Sequence, residues 1–196
     1  MVQYRLVVSA GVAFIASLLW FGLTRSSRPS PSHVGTNDAM KVGFAVGEYA
    51  PDFELRSVDG SSFKLSALRG QPVVVNFWGT WCAPCKVEIP WLVALDQTYG
   101  SQGVKIVGVA MESGSPEEIT KFAQEDGMKY LIVLGDSGTA NKYGGVRFMP
   151  QSFFIGRDGR IAKETTGLTD KKDLEDGLKA LLEGNSKSQI ARSGRP

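Results

Sequence analysis

The chain has 196 residues, 42% of them hydrophobic and 21% charged, a size and balance that exclude a fibrous or largely disordered protein and predict one packed core. Its 22 basic against 20 acidic residues give a net charge of +2, too even for a protein that grips phosphate backbones, so nucleic acid is not an expected partner. Two cysteines exclude both a disulfide-stapled mini-protein and a four-thiolate zinc site within one chain.

Leu6 to Leu23 is a run of 18 uncharged residues bracketed by Arg5 and Arg25. As a helix it spans ~27 Å, close to the hydrocarbon thickness of a bilayer. Residues 1–25 are therefore expected to form an N-terminal signal-anchor with a transmembrane helix at about 6–23. No A-x-A site follows and no cysteine is at hand for lipidation, which favours a retained anchor over a cleaved leader. Residues 26–45, rich in Ser, Pro and Gly, suit a flexible linker and hold His33, which has no ligand partner nearby and reads as solvated. Residues 185–196 carry Lys187, Arg192 and Arg195 with little apolar content and read as a disordered basic tail. Between them, residues 46–184 hold 15 basic and 19 acidic residues, a domain of net charge −4.

Within that domain, Phe53 to Leu55 and Ser62 to Lys64 flank Val58-Asp59-Gly60, which predicts a β-hairpin. Val73 to Phe77 is a β-branched apolar run and predicts a buried strand, followed by a helix from near Cys82. Val104 to Ala110 repeats the strand signature. Ser115-Pro116-Glu117-Glu118 supplies an N-cap, a proline in the first turn and a capping-box glutamate for a helix to about Glu125. Leu131 to Leu134, Gln151 to Ile155 and Ile161 to Thr165 predict three more strands, the last two joined at Asp158-Gly159, and Lys171 to Glu183 a closing helix. Alternating βα units ending in a hairpin and a helix predict an α/β fold with a mixed central sheet flanked by helices.

Trp81-Cys82-Ala83-Pro84-Cys85-Lys86 places two thiols three residues apart at the start of the helix that follows the buried strand. Unpaired N–H groups and the helix dipole favour negative charge there, so Cys82 is expected to face solvent, substantially as thiolate near neutral pH, and to act as the nucleophile. Cys85, nearly one turn further in, is placed to resolve a mixed disulfide formed at Cys82. Pro84 fits the first turn because no intrahelical N–H is needed there. The alternatives are a structural bridge, a two-thiolate metal site and a pair of inert core cysteines. A bridge over so short a loop constrains the unfolded chain little. A zinc ion needs two ligands that the chain does not visibly offer, so neither a metal nor a cofactor is expected.

Glu88 shares a helical stripe with Cys85, Leu92 and Leu95 that otherwise faces the core. A half-buried carboxylate there either exchanges protons with a thiol near pH 7 or complements the positive end of the helix. Pro90 removes one internal hydrogen bond and is expected to kink the helix. Met149-Pro150, at a strand entrance, is a candidate cis bond.

The run Val73-Val-Val-Asn-Phe-Trp-Gly-Thr-Trp-Cys-Ala-Pro-Cys-Lys86, Pro90 and the late Met149-Pro150 together resemble the thioredoxin superfamily. The entry Gly47-Glu-Tyr-Ala-Pro-Asp-Phe-Glu-Leu55, the insertion between Gly114 and Gly127 and the N-terminal anchor narrow the resemblance to the TlpA/ResA-like membrane-anchored oxidoreductases of the AhpC/TSA and redoxin type. That resemblance implies a thioredoxin fold with an N-terminal β-hairpin extension and an inserted βα segment. It implies a redox-active Cys82–Cys85 disulfide, Glu88 as the proton-transfer carboxylate, and client contacts at Trp81, Ala83, Pro84, Met149 and Pro150. Asn76 stands where cytoplasmic thioredoxins keep a buried aspartate, which leaves Glu88 as the evident nearby carboxylate. The resemblance further implies a single-pass protein of the bacterial inner membrane with its domain on the periplasmic side. Its implied partners are client protein disulfides, typically those of apocytochrome c or of copper-site proteins, and a membrane thiol conduit of the DsbD/CcdA type as electron donor.

The expected function is thus reduction of client disulfides. Ala83-Pro84 places no histidine between the thiols to overstabilise the thiolate, which favours a reductant over an oxidant. Two rivals are a copper-binding chaperone using Cys82, Cys85 and Met149, for which the ligand count is short, and a thiol peroxidase. Peroxiredoxins share Ala50-Pro51-Asp52-Phe53 but need a threonine three residues before the reactive cysteine, where this chain has Gly79.

Overall fold

The computed structural model describes residues 46–193, with side chains through Gly184. The predicted membrane helix, the linker with His33 and the side chains of the tail lie outside the described residues; among those described, no helix is long and apolar enough to cross a membrane.

The chain opens with a hairpin of β1 (Glu54–Arg56) and β2 (Ser62–Lys64), in register Leu55 to Phe63 and closed by the Ser57 N–H on the Ser61 carbonyl (2.8 Å). Strand β3 (Val73–Trp78) then runs into α1 (Ala83–Tyr99), β4 (Lys105–Ala110), α2 (Pro116–Glu125), β5 (Leu131–Leu134) and α3 (Ser137–Lys142). The chain finishes with β6 (Gln151–Ile155), β7 (Ile161–Thr166) and α4 (Lys171–Ser193). Among the described residues the larger sheet has the order β5-β4-β3-β6-β7, with β3, β4 and β5 parallel and β6 and β7 antiparallel. The mixed sheet of the predicted α/β fold is therefore present. The hairpin packs on the β5 edge, where Val58 N–H and Ser57 Oγ both reach the Ile132 carbonyl (3.1 and 3.0 Å), satisfying backbone that an edge strand leaves open.

All six residues of β3 are buried, as a central strand covered on both faces requires. The two-residue pleat sends Val73, Val75 and Phe77 to one side, and Val74, Asn76 and Trp78 to the other. On the first side they join Phe53, Val107, Tyr143 and Phe153 in an aromatic-rich core beneath the hairpin. On the second, Val74 and Trp78 pack with Ile89 and Leu92 of α1, Ile119 of α2 and Leu174 and Leu178 of α4.

The capping box forms as predicted, the Ser115 N–H bonding Glu118 Oε2 and the Glu118 N–H bonding Ser115 Oγ (2.8 and 3.3 Å). Helix α3 was not among the predicted elements, because six residues are too few to show a hydrophobic period. Its one local signal is Asp136, whose carboxylate caps the Thr139 N–H at 2.6 Å. The closing helix runs to Ser193 rather than Glu183, since Gly184 remains helical and no proline follows until Pro196. The helical backbone thus enters the segment expected to be a disordered tail.

Gly177 of α4 lies against Phe154 of β6, where an added Cβ would sit 2.6 Å from a ring carbon. Gly177→Ala is expected to lower stability by about 1–3 kcal/mol through overpacking, outweighing the gain of about 1 kcal/mol in helix propensity. The urea midpoint measures the balance, and a rise in midpoint would contradict it.

Candidate active site

Strand β3 delivers the chain at Trp78 into the turn Gly79-Thr80-Trp81, and Cys82 caps α1 with extended backbone. Its Sγ accepts the Cys85 N–H (3.2 Å), so the first sulfur occupies the N-cap acceptor position that serine or aspartate fills in other helices. Pro84 lies in the first turn without cost to the helix. Cys82 and Cys85 are bridged, with S–S 2.03 Å and Cα atoms 5.3 Å apart. In this bridged form Cys82 is only 4% exposed, and Cys85 is fully buried. The expected solvent-facing sulfur is corrected accordingly: bonded to Cys85 and folded over the first turn, it points along the helix rather than outward. Trp81, Ala83 and Pro84 form the exposed surface around it.

Glu88 lies one turn beyond Cys85 and, at 1% exposure, points into the core as its stripe predicts. Helix α1 runs unbroken through Pro90, which sits on its exposed side, so the proline does not turn Glu88 away. Burial raises the Glu88 carboxyl to about 7, against the opposing pull of its hydrogen bond from Asn76 Nδ2 (2.8 Å). That amide also donates to Ser152 Oγ (2.9 Å). The sheet register makes this possible, because β3 and β6 place Asn76 directly opposite Ser152 on the face toward α1. A carboxyl poised near neutrality one turn from the second sulfur can take up and release that thiol's proton.

The Met149–Pro150 bond is cis, in the loop entering β6. Pro150 is buried and its carbonyl accepts the Gly167 N–H (2.8 Å), while half-buried Met149 packs on the core cluster that contains both cysteines. Phe148, just before it, is 67% exposed.

The loop after β4 contributes residues that the sequence did not single out. Ser113 Oγ accepts the Thr80 N–H (3.1 Å) and donates to the Met111 carbonyl (2.9 Å), and Thr80 Oγ1 donates to the Ser113 carbonyl (3.1 Å). Trp81 Nε1 donates to the same Met111 carbonyl (3.2 Å). These bonds tie the Cys82 turn to a loop 30 to 33 residues later, a pairing with no local signal. Ser113→Ala removes the acceptor of the half-buried Thr80 N–H and is expected to cost about 1 kcal/mol, read from the urea midpoint of the bridged protein; an unchanged midpoint would show the tie to be dispensable. The Trp81 indole lies so close over Gly79 that a Cβ there would be 2.9 Å from Nε1. A peroxidase-type threonine at that position would have to displace the Trp81 indole and would crowd the Met111 carbonyl, 3.2 Å from the same Cβ.

A model of the AhpC/TSA family matches residues 46–164. The chain is 37% identical over 142 residues to the thiol-disulfide oxidoreductase ResA of Geobacillus thermodenitrificans (strain NG80-2), covering 72% of this chain and 80% of that protein. It is 32% identical over 148 residues to ResA of Bacillus subtilis (strain 168), covering 76% and 82%. Among solved structures it is similar to a thiol:disulfide interchange protein of the thioredoxin family from Chlorobium tepidum TLS, with a TM-score of 0.64 and 29% identity over 70% of this chain and 98% of that one.

Proposed function

Because the chain belongs to the AhpC/TSA family as a ResA-like thiol-disulfide oxidoreductase, we propose that it works as an extracytoplasmic reductase of client protein disulfides in cytochrome c maturation. The observation that carries the reading is a Cys82–Cys85 pair at a helix N-terminus with a protonatable carboxyl, Glu88, buried one turn behind it.

In the reduced protein the Cys82 sulfur, at the N-cap and facing the helix N–H groups, attacks a client disulfide as thiolate. A Cys82–client disulfide forms and one client sulfur leaves as thiolate. Glu88, ionised, takes the Cys85 proton; the Cys85 thiolate then attacks Cys82 Sγ, the Cys82–Cys85 bridge closes and the second client sulfur leaves. Two electrons pass from the dithiol to the client, and the bridged state is the product. Trp81, Ala83, Pro84 and the Met149–Pro150 loop present the client's disulfide and backbone to the sulfur.

Regeneration requires a dithiol donor, for which a membrane conduit of the DsbD/CcdA type is the fitting class. The segment 6–23 anchors the domain to the bacterial inner membrane on its periplasmic side, at the end of the linker. Reduction of copper-site cysteines during oxidase assembly is the same chemistry on a different client. Equilibration of the domain with glutathione buffers tests the direction of transfer. A potential near that of thioredoxin, about −270 mV, supports a reductase, and one near that of DsbA, about −120 mV, rejects it.

A further inference from the structure

A groove of about 160 Å³ lies beside the cis-proline loop, lined by Val146, Arg147, Phe148, Gln151, Glu164 and Thr166 among others. Gln151 follows Pro150 directly and, by the pleat, points to the face of the sheet away from Glu88. It is only 8% exposed, and its Nε2 donates to Glu164 Oε1 at 2.7 Å. An ionised carboxylate only accepts, so this bond fixes which end of the amide is which. The other end, Gln151 Oε1, is then a buried acceptor, and it has no partner among the described residues. Such a group is costly to leave unmade, and an orphaned acceptor in a cleft marks a place where a ligand completes the bond. Two neighbours agree. Phe148 stands exposed at the rim, and Val146 holds a φ of 38°, a left-handed conformation that a β-branched residue adopts only under constraint from its surroundings.

We propose that this groove is a client subsite that receives an N–H-bearing side chain of the polypeptide whose disulfide lies at Cys82, with Gln151 Oε1 accepting its hydrogen bond and Phe148 covering its stem. The proposal rests on the protein-disulfide reductase reading and adds a recognised feature of the client. Arg147 and Glu164 both line the groove with opposite charges, and Glu164 is already engaged by Gln151 and by the Thr166 hydroxyl (3.3 Å). The local charge is therefore balanced, which favours a neutral amide donor over a full cation.

The test uses the dithiol form of the protein and disulfide peptides in which each of the three residues flanking either cysteine is in turn Gln or Met, side chains of equal length of which only the first carries N–H. At one position the Gln peptide is expected to be reduced with a kcat/KM roughly fivefold to tenfold higher than its Met partner, the worth of one hydrogen bond. In Gln151→Leu that ratio is expected to fall to about one; because the ratio is taken within one protein, a general loss of activity cancels. Equal kcat/KM for Gln and Met at every position, or a preference that survives in Gln151→Leu, overturns the subsite while leaving the reductase reading in place. Failure of the native protein to reduce any of the peptides overturns that reading and the subsite with it.

Discussion

Cys85→Ala protein is expected to lose turnover by roughly three orders of magnitude or more and to accumulate as a covalent complex through Cys82. The first sulfur retains its N-cap position and attacks a client disulfide, but no second sulfur is left to displace the product. The buried location of Cys85 makes the outcome sharper, because a small side chain fills its site without opening α1 to solvent. Complexes recovered from cells and resolved by reduction then name the client. Cytochrome c precursors support the proposed role, and copper-site proteins select its alternative. A Cys82→Ala protein is expected to form no complex, and a complex of equal yield through Cys85 would reverse the assignment of attacker and resolver.

Glu88→Gln is expected to separate the proton from the packing. The amide preserves an acceptor for Asn76 Nδ2 and nearly the same volume, so the bond at 2.8 Å can persist while ionisation is lost. Client release in the native protein should speed up as pH rises through about 7, where Glu88 becomes a base. In Glu88→Gln that rise should vanish and release at neutral pH should slow by roughly a hundredfold. Stability moves in the opposite sense. The folded carboxyl sits at about 7 against 4.5 for the free side chain, so folding favours the protonated form. The stability contributed by burying neutral Glu88 is fully present below pH 4.5 and is lost as pH rises through 7, a difference on the order of 3 kcal/mol. Bridged Glu88→Gln should therefore match the native protein in urea at pH 4 and exceed it at pH 8. A gap that does not change with pH would remove Glu88 from the titration.

Much of this protein could be read before its structure, because the signals are short-range. The β-branched run of β3, the Ser115 capping box, the Asp59-Gly60 hairpin and the Cys82 to Cys85 spacing each act within a few residues, where φ/ψ preference and hydrogen-bond reach decide the outcome. Glu88 was legible for the same reason: helical periodicity alone puts it on the stripe of Cys85 and Leu92, and it is buried there. Helix α3 was missed because its cap at Asp136 supports too few residues to build a period.

What remained hidden depends on partners distant in the chain. Asn76 meets Ser152 only because β6 inserts beside β3 in one register; a slip of β6 by one residue would turn Ser152 to the opposite face and leave the Asn76 amide with Glu88 alone. Ser113 reaches Thr80, and Gln151 reaches Glu164, across loops and strands that local preference does not position. The near-complete burial of the Cys82 sulfur likewise belongs to the bridged helix start within a packed core. The amino-acid order alone determined the elements, the sulfur pair and its neighbouring carboxyl, since those follow from contacts along the backbone. The surroundings that tune the carboxyl, hold the Trp81 turn and bury Gln151 Oε1 beside the groove were decided by tertiary packing, since burial and long-range register exist only once the sheet has closed.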